Sequence, residues 1–127
     1  MQIDWNLESL AEGLRCYQSQ QFFQAHEHWE IIWLQCQQPE KTFLQALIQM
    51  AAAFHHLQRN NSRGAASLLH AALRKLERYP PLFAGVDVES LRAEIEAWLA
   101  LLEARDSPLR PPFPQIRFDR IPPDPGL

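Results

Sequence analysis

The apolar residues of this chain recur at helical spacing in five separate stretches. In the first stretch, Leu7, Leu10 and Leu14 lie three or four residues apart, which indicates one face of an amphipathic helix. The second and third stretches, about residues 20–36 and 39–59, carry apolar side chains on nearly every side. A helix of that kind has to be buried, so we expect these two helices to form the centre of the fold.

Two further stretches have helical patterns with recognisable ends. The fourth follows the turn at residues 60–62 and stops before Pro80, because proline cannot continue the interior of a helix. The fifth begins at Asp87, which is a favourable N-cap residue. One face of this last helix carries Val88, Leu91, Ile95, Trp98 and Leu102. Because the connections are short, the chain is predicted to be all-α, a single five-helix antiparallel bundle.

The C-terminal part of the chain differs in composition from the bundle. Seven of the 10 prolines lie between Pro108 and Pro125, and proline at this density favours an extended or polyproline conformation. The same segment keeps large apolar residues such as Phe113, which a disordered tail seldom does. We therefore expect a bundle domain over residues 1–106 and an extended tail over residues 107–127 that packs on it. A docking segment for a partner that binds proline-rich sequences is the alternative.

Composition and charge exclude several classes of protein. A length of 127 residues suits one domain, and 15 acidic against 12 basic residues give a net charge of -3. Nucleic acid is not expected as a partner, because nucleic-acid binders carry a basic surplus. No membrane association is expected, since no apolar run approaches ~20 residues and residues 1–4 begin no secretory signal. Cys16 and Cys36 predict reduced thiols, which favours a cytoplasmic protein.

The most unusual stretch is FFQAHEHWEIIW at residues 22–33, which places histidines and glutamates among large apolar side chains. On a helical wheel at ~100° per residue, His26 and Glu30 share one face with both tryptophans. Glu27 lies at the edge of that face, and His28 points away from it. The pattern predicts a polar site at the centre of the bundle.

Three motifs of the chain resemble those of one protein family. FQAHEHWE at residues 23–30 resembles an F-x-A-H-E-x-W-E signature, and FLQALIQMA at residues 43–51 is similar to F-L-Q-G-L-I-Q-x-A. HLQRNNSRGA at residues 56–65 is similar to H-L-x-x-G-N-x-x-G-A. Together the three motifs resemble those of a small helical family described as domain of unknown function 309. The resemblance implies an all-helical bundle with a shared polar cluster, and it implies no activity.

The chain departs from the family's motifs at three positions. Ala46 and Asn60 stand where the family usually has glycine, and His55 stands where an aromatic residue is common. Asparagine tolerates a left-handed backbone conformation at modest cost, so we expect the turn at Asn60 to be kept.

The chemistry of the polar stretch suggests which other residues join it. His26 and Glu30 are four residues apart, so their side chains lie one above the other on a helix. A carboxylate buried among tryptophans needs a partner, because burial alone raises its pKa. No acidic residue occurs over residues 41–76, whereas several basic ones do. The predicted semi-buried cluster consists of His26, Glu27, Glu30, Trp33, His56, Asn61, Arg63 and Gly64.

Three interpretations of this cluster are open at this point. In the leading one, it binds a small anionic ligand or a protein partner, because Asn61 and a helix N-terminus beside Arg63 suit an anion. In the second, the protein is a metal-assisted or acid–base enzyme of unknown substrate. His26, Glu30 and His56 would then hold a divalent metal, although the spacing is not that of His-Glu-x-x-His.

In the third interpretation, the cluster is purely structural and the domain is an interaction module. Such a network locks the packing of a bundle only when every buried polar group has its partner. No cofactor other than a divalent metal is suggested by the residues, and self-association as a homo-oligomer is left open.

Overall fold

Five helices make up most of the residues that the structure describes. The computed structural model describes residues 3–104 and 110–118. The helices are α1 (Glu8–Gln18), α2 (Phe22–Trp33), α3 (Glu40–Gln58), α4 (Ser62–Leu76) and α5 (Val88–Glu103). Each helix packs against the next one along the chain, from α1 through to α5. The predicted all-α fold with five helices is confirmed. Within the described ranges, no helix combines the length and the apolar character needed to cross a membrane.

α3 is the central helix of the fold. Apolar side chains along its whole length are buried, and it packs against both α2 and α4. Ala46, Ala51 and Ala53 are fully buried, and their small side chains allow the neighbouring helices to approach closely. The prediction that this helix is buried on most sides is confirmed.

α2 is less buried than its sequence predicts. Only Phe22, Ala25 and Trp29 are buried within it, whereas Ile31 is 51% exposed, and Leu34, which follows the helix, is 69% exposed. The prediction that α2 is enclosed on nearly all sides is therefore wrong. α2 packs against α1 and α3 among the helices, so the side that faces neither of them remains on the surface.

A small β-hairpin precedes α5. β1 (Leu82–Phe83) and β2 (Val86–Asp87) pair antiparallel across a two-residue turn. Both turn residues have positive φ, 53° at Ala84 and 77° at Gly85, as a type I′ turn requires. Asp87 then caps α5 as predicted, since its carboxylate accepts a hydrogen bond of 3.0 Å from the backbone N–H of Ser90.

Residues 110–118, here called the strap, lie in extended conformation against the bundle. The Trp98 indole N–H donates to the carbonyl of Pro112 at 2.9 Å, and the Tyr17 hydroxyl donates to the carbonyl of Pro114 at 2.6 Å. The Phe113 ring stacks on Trp98 with ring centroids 5.8 Å apart. The strap therefore packs on the helices. The predicted domain division at residues 106 and 107 falls outside the described residues and stays a prediction, as does the end of the tail beyond residue 118.

Candidate functional site

A groove runs along the surface between α2 and α3. Phe23 and His26 at the start of α2 lie beside His55 and His56 at the end of α3, around a cavity of about 320 Å³. Towards the other end, Trp33 of α2 lies beside the first half of α3 around a smaller cavity of about 100 Å³. The two helices therefore run antiparallel. The α2–α3 groove is lined by Phe23, His26, Glu30, Trp33, Gln45, Ile48, Gln49, Ala52, His55 and His56.

The larger cavity, here called the histidine pocket, has aromatic and imidazole walls. The Phe23 ring stacks on His26 with centroids 5.9 Å apart, and it lies 5.1 Å from the ring of His55. Ala52 lines the same cavity with its methyl group, and the His55 and His56 rings are 6.2 Å apart. Three imidazoles thus surround one apolar cavity.

The charged groups around the histidine pocket are mostly basic. Burial lowers the pKa of His55 from its usual 6.5, and the positive charges of Arg59, His56 and His26 lower this pKa further. Glu30 provides the acid of this region, with a carboxylate oxygen 3.5 Å from His26 Nε2. Arg59 carries a positive charge and His55 gains one when it is protonated, so an added anion would be electrostatically favourable beside a protonated His55.

Three buried polar atoms in the groove lack a hydrogen-bond partner among the residues that the structure describes. They are His26 Nδ1, Trp33 Nε1 and Gln49 Oε1. An unsatisfied buried polar atom costs about 1–3 kcal/mol, so such atoms are usually paired with protein, water or a ligand. Since all three atoms belong to groove residues, the groove has hydrogen-bonding capacity that the protein itself does not use.

The two glutamates of the predicted cluster are more exposed than the sequence predicts. The side chain of Glu30 keeps 50% of its accessible surface, and Glu27 is exposed. The expectation of a carboxylate buried among tryptophans is therefore wrong. Trp29 faces the core, whereas Glu30, one position further along the helix, is turned towards the surface beside His26.

Asn61 has a structural role at the start of α4. Its side-chain oxygen accepts a hydrogen bond of 2.9 Å from the backbone N–H of Gly64, and its side-chain nitrogen lies 3.2 Å from His56 Nδ1. A methyl group at Gly64 would come within 2.5 Å of that side-chain nitrogen, so glycine leaves room for the cap. Gly64 is thus in close contact with the Asn61 side chain. Arg63 is exposed on the surface of α4.

The predicted metal ligands are only partly brought together. His26 lies beside Glu30, but these two and His56 do not form a group with all ligand atoms within 4.8 Å. Among the described residues, the group that does so is Glu12, Cys16 and His28, on α1 and α2. This group was not among the residues predicted from the sequence, because a helical wheel places His28 on the outward side of α2.

Two residues of the histidine pocket were also missed. Phe23 belongs to the quoted motif but was not assigned to the cluster, and His55 was considered only as a departure from the family pattern. The sequence does indicate that Ala52, His55 and His56 lie together, because residues three and four apart share one face of a helix.

Comparison with known proteins supports the resemblance found in the sequence. A family model described as "Domain of unknown function (DUF309)" matches residues 10–68, a range that includes most of α1, all of α2 and α3, and the start of α4. An uncharacterized protein of Aquifex aeolicus (strain VF5) is 28% identical over 107 residues, which is 84% of this chain and 32% of that protein. The chain thus spans about a third of the length of this relative. The predicted resemblance to this family is confirmed over residues 10–68, the range that its model matches.

Proposed function

We propose that the α2–α3 groove binds a small organic anion, with its carboxylate in the histidine pocket. The observation that carries this proposal is the set of three imidazoles around one apolar cavity of about 320 Å³. This volume lies within the range of roughly 300–1,000 Å³ that is typical of small-ligand sites. Such sites combine apolar walls with a few convergent polar groups.

The lining of the groove matches the two parts of such a ligand. Phe23 and Ala52 offer apolar surface for a hydrocarbon or aromatic body. The imidazoles of His26, His55 and His56 offer ring N–H groups to a carboxylate. Hydrogen bonds that involve a charged partner are about twice as strong as neutral ones, so the carboxylate would supply most of the specificity.

The end of the groove near Trp33 supports the same proposal. The Trp33 indole nitrogen and Gln49 Oε1 have no partner among the described residues, but both atoms are buried, so a ligand would meet them only after a side-chain rotation. Lys41 lies 4.4 Å from the Trp33 ring and adds a positive charge at this end of the groove. A ligand longer than one carboxylate would therefore find polar contacts towards Trp33.

Benzoate is a suitable probe, and its binding can be followed by the NMR signals of the histidine rings. Benzamide has the same shape without the charge and is the matched control ligand. We expect benzamide to bind at least about tenfold more weakly than benzoate, and His55→Gln to weaken benzoate binding by about tenfold. The control variant is His70→Gln, because His70 pairs with Glu103 elsewhere on the surface. Equal affinity for both ligands, or an equal effect of the two variants, would contradict the proposal.

The proposal also predicts a pH dependence with a definite sign. Because the pKa of folded His55 is lowered from 6.5, this group takes up a proton only at a pH below that value. Benzoate affinity should therefore increase as the pH falls from about 7.5 to about 6. Without ligand, His55 has a higher pKa in the unfolded chain than in the folded one, so the unfolded chain binds the proton more tightly. The contribution of neutral His55 to the unfolding free energy is therefore lost as the pH falls below 6.5. Both changes should be smaller in His55→Gln.

A protein partner is the second candidate for this face. Phe23, Ile31 and Leu34 are exposed apolar residues on or directly after α2, beside the groove. Exposed apolar surface of this kind is typical of interaction sites. An amphipathic helix of a partner could cover this surface and the groove together.

The other sequence-based expectations stay predictions. They include an acid–base or metal-assisted enzyme with Glu30 and His26 at its site, and a homo-oligomer. They also include a cytoplasmic location, with Cys16 and Cys36 as free thiols. Nucleic acid is not proposed as a partner, given the net charge of -3.

A further inference from the structure

We propose that Glu12, Cys16 and His28 form a zinc site that connects α1 to α2. Glu12 and Cys16 are four residues apart on α1, so they lie on the same face of that helix. His28 reaches this face from α2, which packs against α1. One ligand atom of each residue lies within 4.8 Å of the other two.

The spacing of these atoms suits a tetrahedral metal ion. Zinc binds sulfur at about 2.3 Å and nitrogen or oxygen at about 2.0–2.2 Å, which places neighbouring ligand atoms roughly 3.3–3.8 Å apart. Small rotations of the three side chains bring the ligand atoms from their present separation to this distance. The backbones of α1 and α2 can therefore stay where they are.

The ligand types select the metal. A thiolate and an imidazole are ligands for zinc and similar transition metals, whereas calcium and magnesium prefer oxygen alone. Three protein ligands leave the fourth tetrahedral position of zinc for water or a small molecule. Cys16 is half-buried as a residue while its place in the ligand group is buried, and Glu12 and His28 beside it are half-buried, so an ion would approach the site from their side.

Arg15 is the competing cation at this site. Its guanidinium pairs with Glu12 Oε1, and both side chains are partly exposed, 61% for Arg15 and 43% for Glu12. A carboxylate has two oxygens, so Glu12 can bind zinc through one of them while Arg15 stays on the other. In that arrangement Arg15 orients the ligand instead of displacing the metal, as hydrogen-bond partners of metal ligands commonly do.

The test is a titration of the metal-free full chain with Co²⁺, which reports a thiolate ligand by a charge-transfer absorption band. We expect one Co²⁺ per chain with this band, and displacement of Co²⁺ by Zn²⁺. Cys16→Ser should abolish the band, and His28→Gln and Glu12→Gln should each weaken binding by at least about tenfold. Zn²⁺ should also raise the melting temperature of the native sequence, because the three ligands come together only in the folded chain.

Matched controls separate this site from the other thiol and from the groove. Cys36→Ser removes the second cysteine, and His26→Gln removes one of the three histidines that line the groove, so neither should change Co²⁺ binding. Glu12 is on the surface, so Glu12→Gln keeps the experiment decisive if Cys16→Ser fails to fold. Retention of the band in Cys16→Ser, or no binding of Co²⁺ by the folded native chain, would overturn the proposal. Benzoate binding in the groove is independent of both results.

Discussion

At the scale of single residues, the contact between Gly13 and Trp29 best explains how α1 and α2 pack. Trp29 is fully buried, and its indole N–H donates to the carbonyl of Leu10 at 3.3 Å. A Cβ atom at Gly13 would lie within 2.9 Å of three atoms of the five-membered ring of this indole. Glycine therefore allows the tryptophan ring to lie directly against the backbone of α1.

Gly13→Ala is expected to destabilise the protein although alanine is the better helix former. The gain in helix propensity is about 1 kcal/mol, whereas overpacking of a filled core costs about 1–3 kcal/mol. The clash is with a rigid and fully buried ring, so we expect the overpacking cost to exceed the gain. Chemical denaturation of both forms measures the difference in unfolding free energy.

Trp29→Phe provides the control for this prediction. Phenylalanine lacks the indole nitrogen that approaches Gly13, so Gly13→Ala should cost less in that background. The double-mutant cycle should therefore give a favourable coupling energy. A more stable Gly13→Ala protein, or an absence of coupling, would show that the helices adjust to the extra methyl group.

At the scale of elements, the turn between α3 and α4 connects helix capping to the histidine pocket. Asn60 has φ of 61°, so asparagine adopts the left-handed conformation that was predicted at this position. Asn61 then caps α4 with its side-chain oxygen and contacts His56 with its side-chain nitrogen. One side chain thus supports the helix and orients an imidazole of the groove.

Asn61→Ala is expected to lower the unfolding free energy by about 1 kcal/mol, because α4 loses its N-cap. It should also weaken benzoate binding, since His56 loses the partner that orients its ring. Asn61→Asp keeps the capping oxygen and is the matched variant, with little loss of stability. Thermal unfolding and the benzoate titration measure the two effects, and an equal loss of stability in both variants would exclude the capping role.

At the scale of the whole molecule, the strap is part of the core. The Phe113 ring contacts Phe22, Phe54 and Trp98, with centroids 4.8, 4.9 and 5.8 Å away. These residues come from α2, α3 and α5, so one side chain joins three helices. The proline-rich composition of this segment keeps it extended, and its apolar residues attach it to the bundle.

Phe113 is half-buried, so Phe113→Ala is expected to lower the unfolding free energy by about 2 kcal/mol, less than the loss of a fully buried aromatic ring. Arg110→Ala changes an exposed residue of the strap and should stay within about 0.5 kcal/mol of the native sequence. Chemical denaturation of the two variants compares them directly. Similar stabilities for both would mean that the strap is a peripheral segment available to a partner.

Much of the candidate site could be inferred from the sequence, but its geometry could not. His26 and His56 were predicted members, and both line the histidine pocket. Glu27 and Glu30 were expected at the centre of a semi-buried cluster and Arg63 among the residues that close it, yet all three are exposed. A helical wheel ranks residues by angle, and it cannot tell which part of a face the neighbouring helix covers.

The sequence by itself determined the helices of this protein, because their signals are local. Apolar spacing, Asp87 as a cap and Asn60 in a left-handed turn depend on residues only a few positions apart. Tertiary structure decided which side of α2 is open, and it brought His28 to Glu12 and Cys16. Those results depend on how helices from distant parts of the chain pack, and the spacing of residues within one helix does not contain that information.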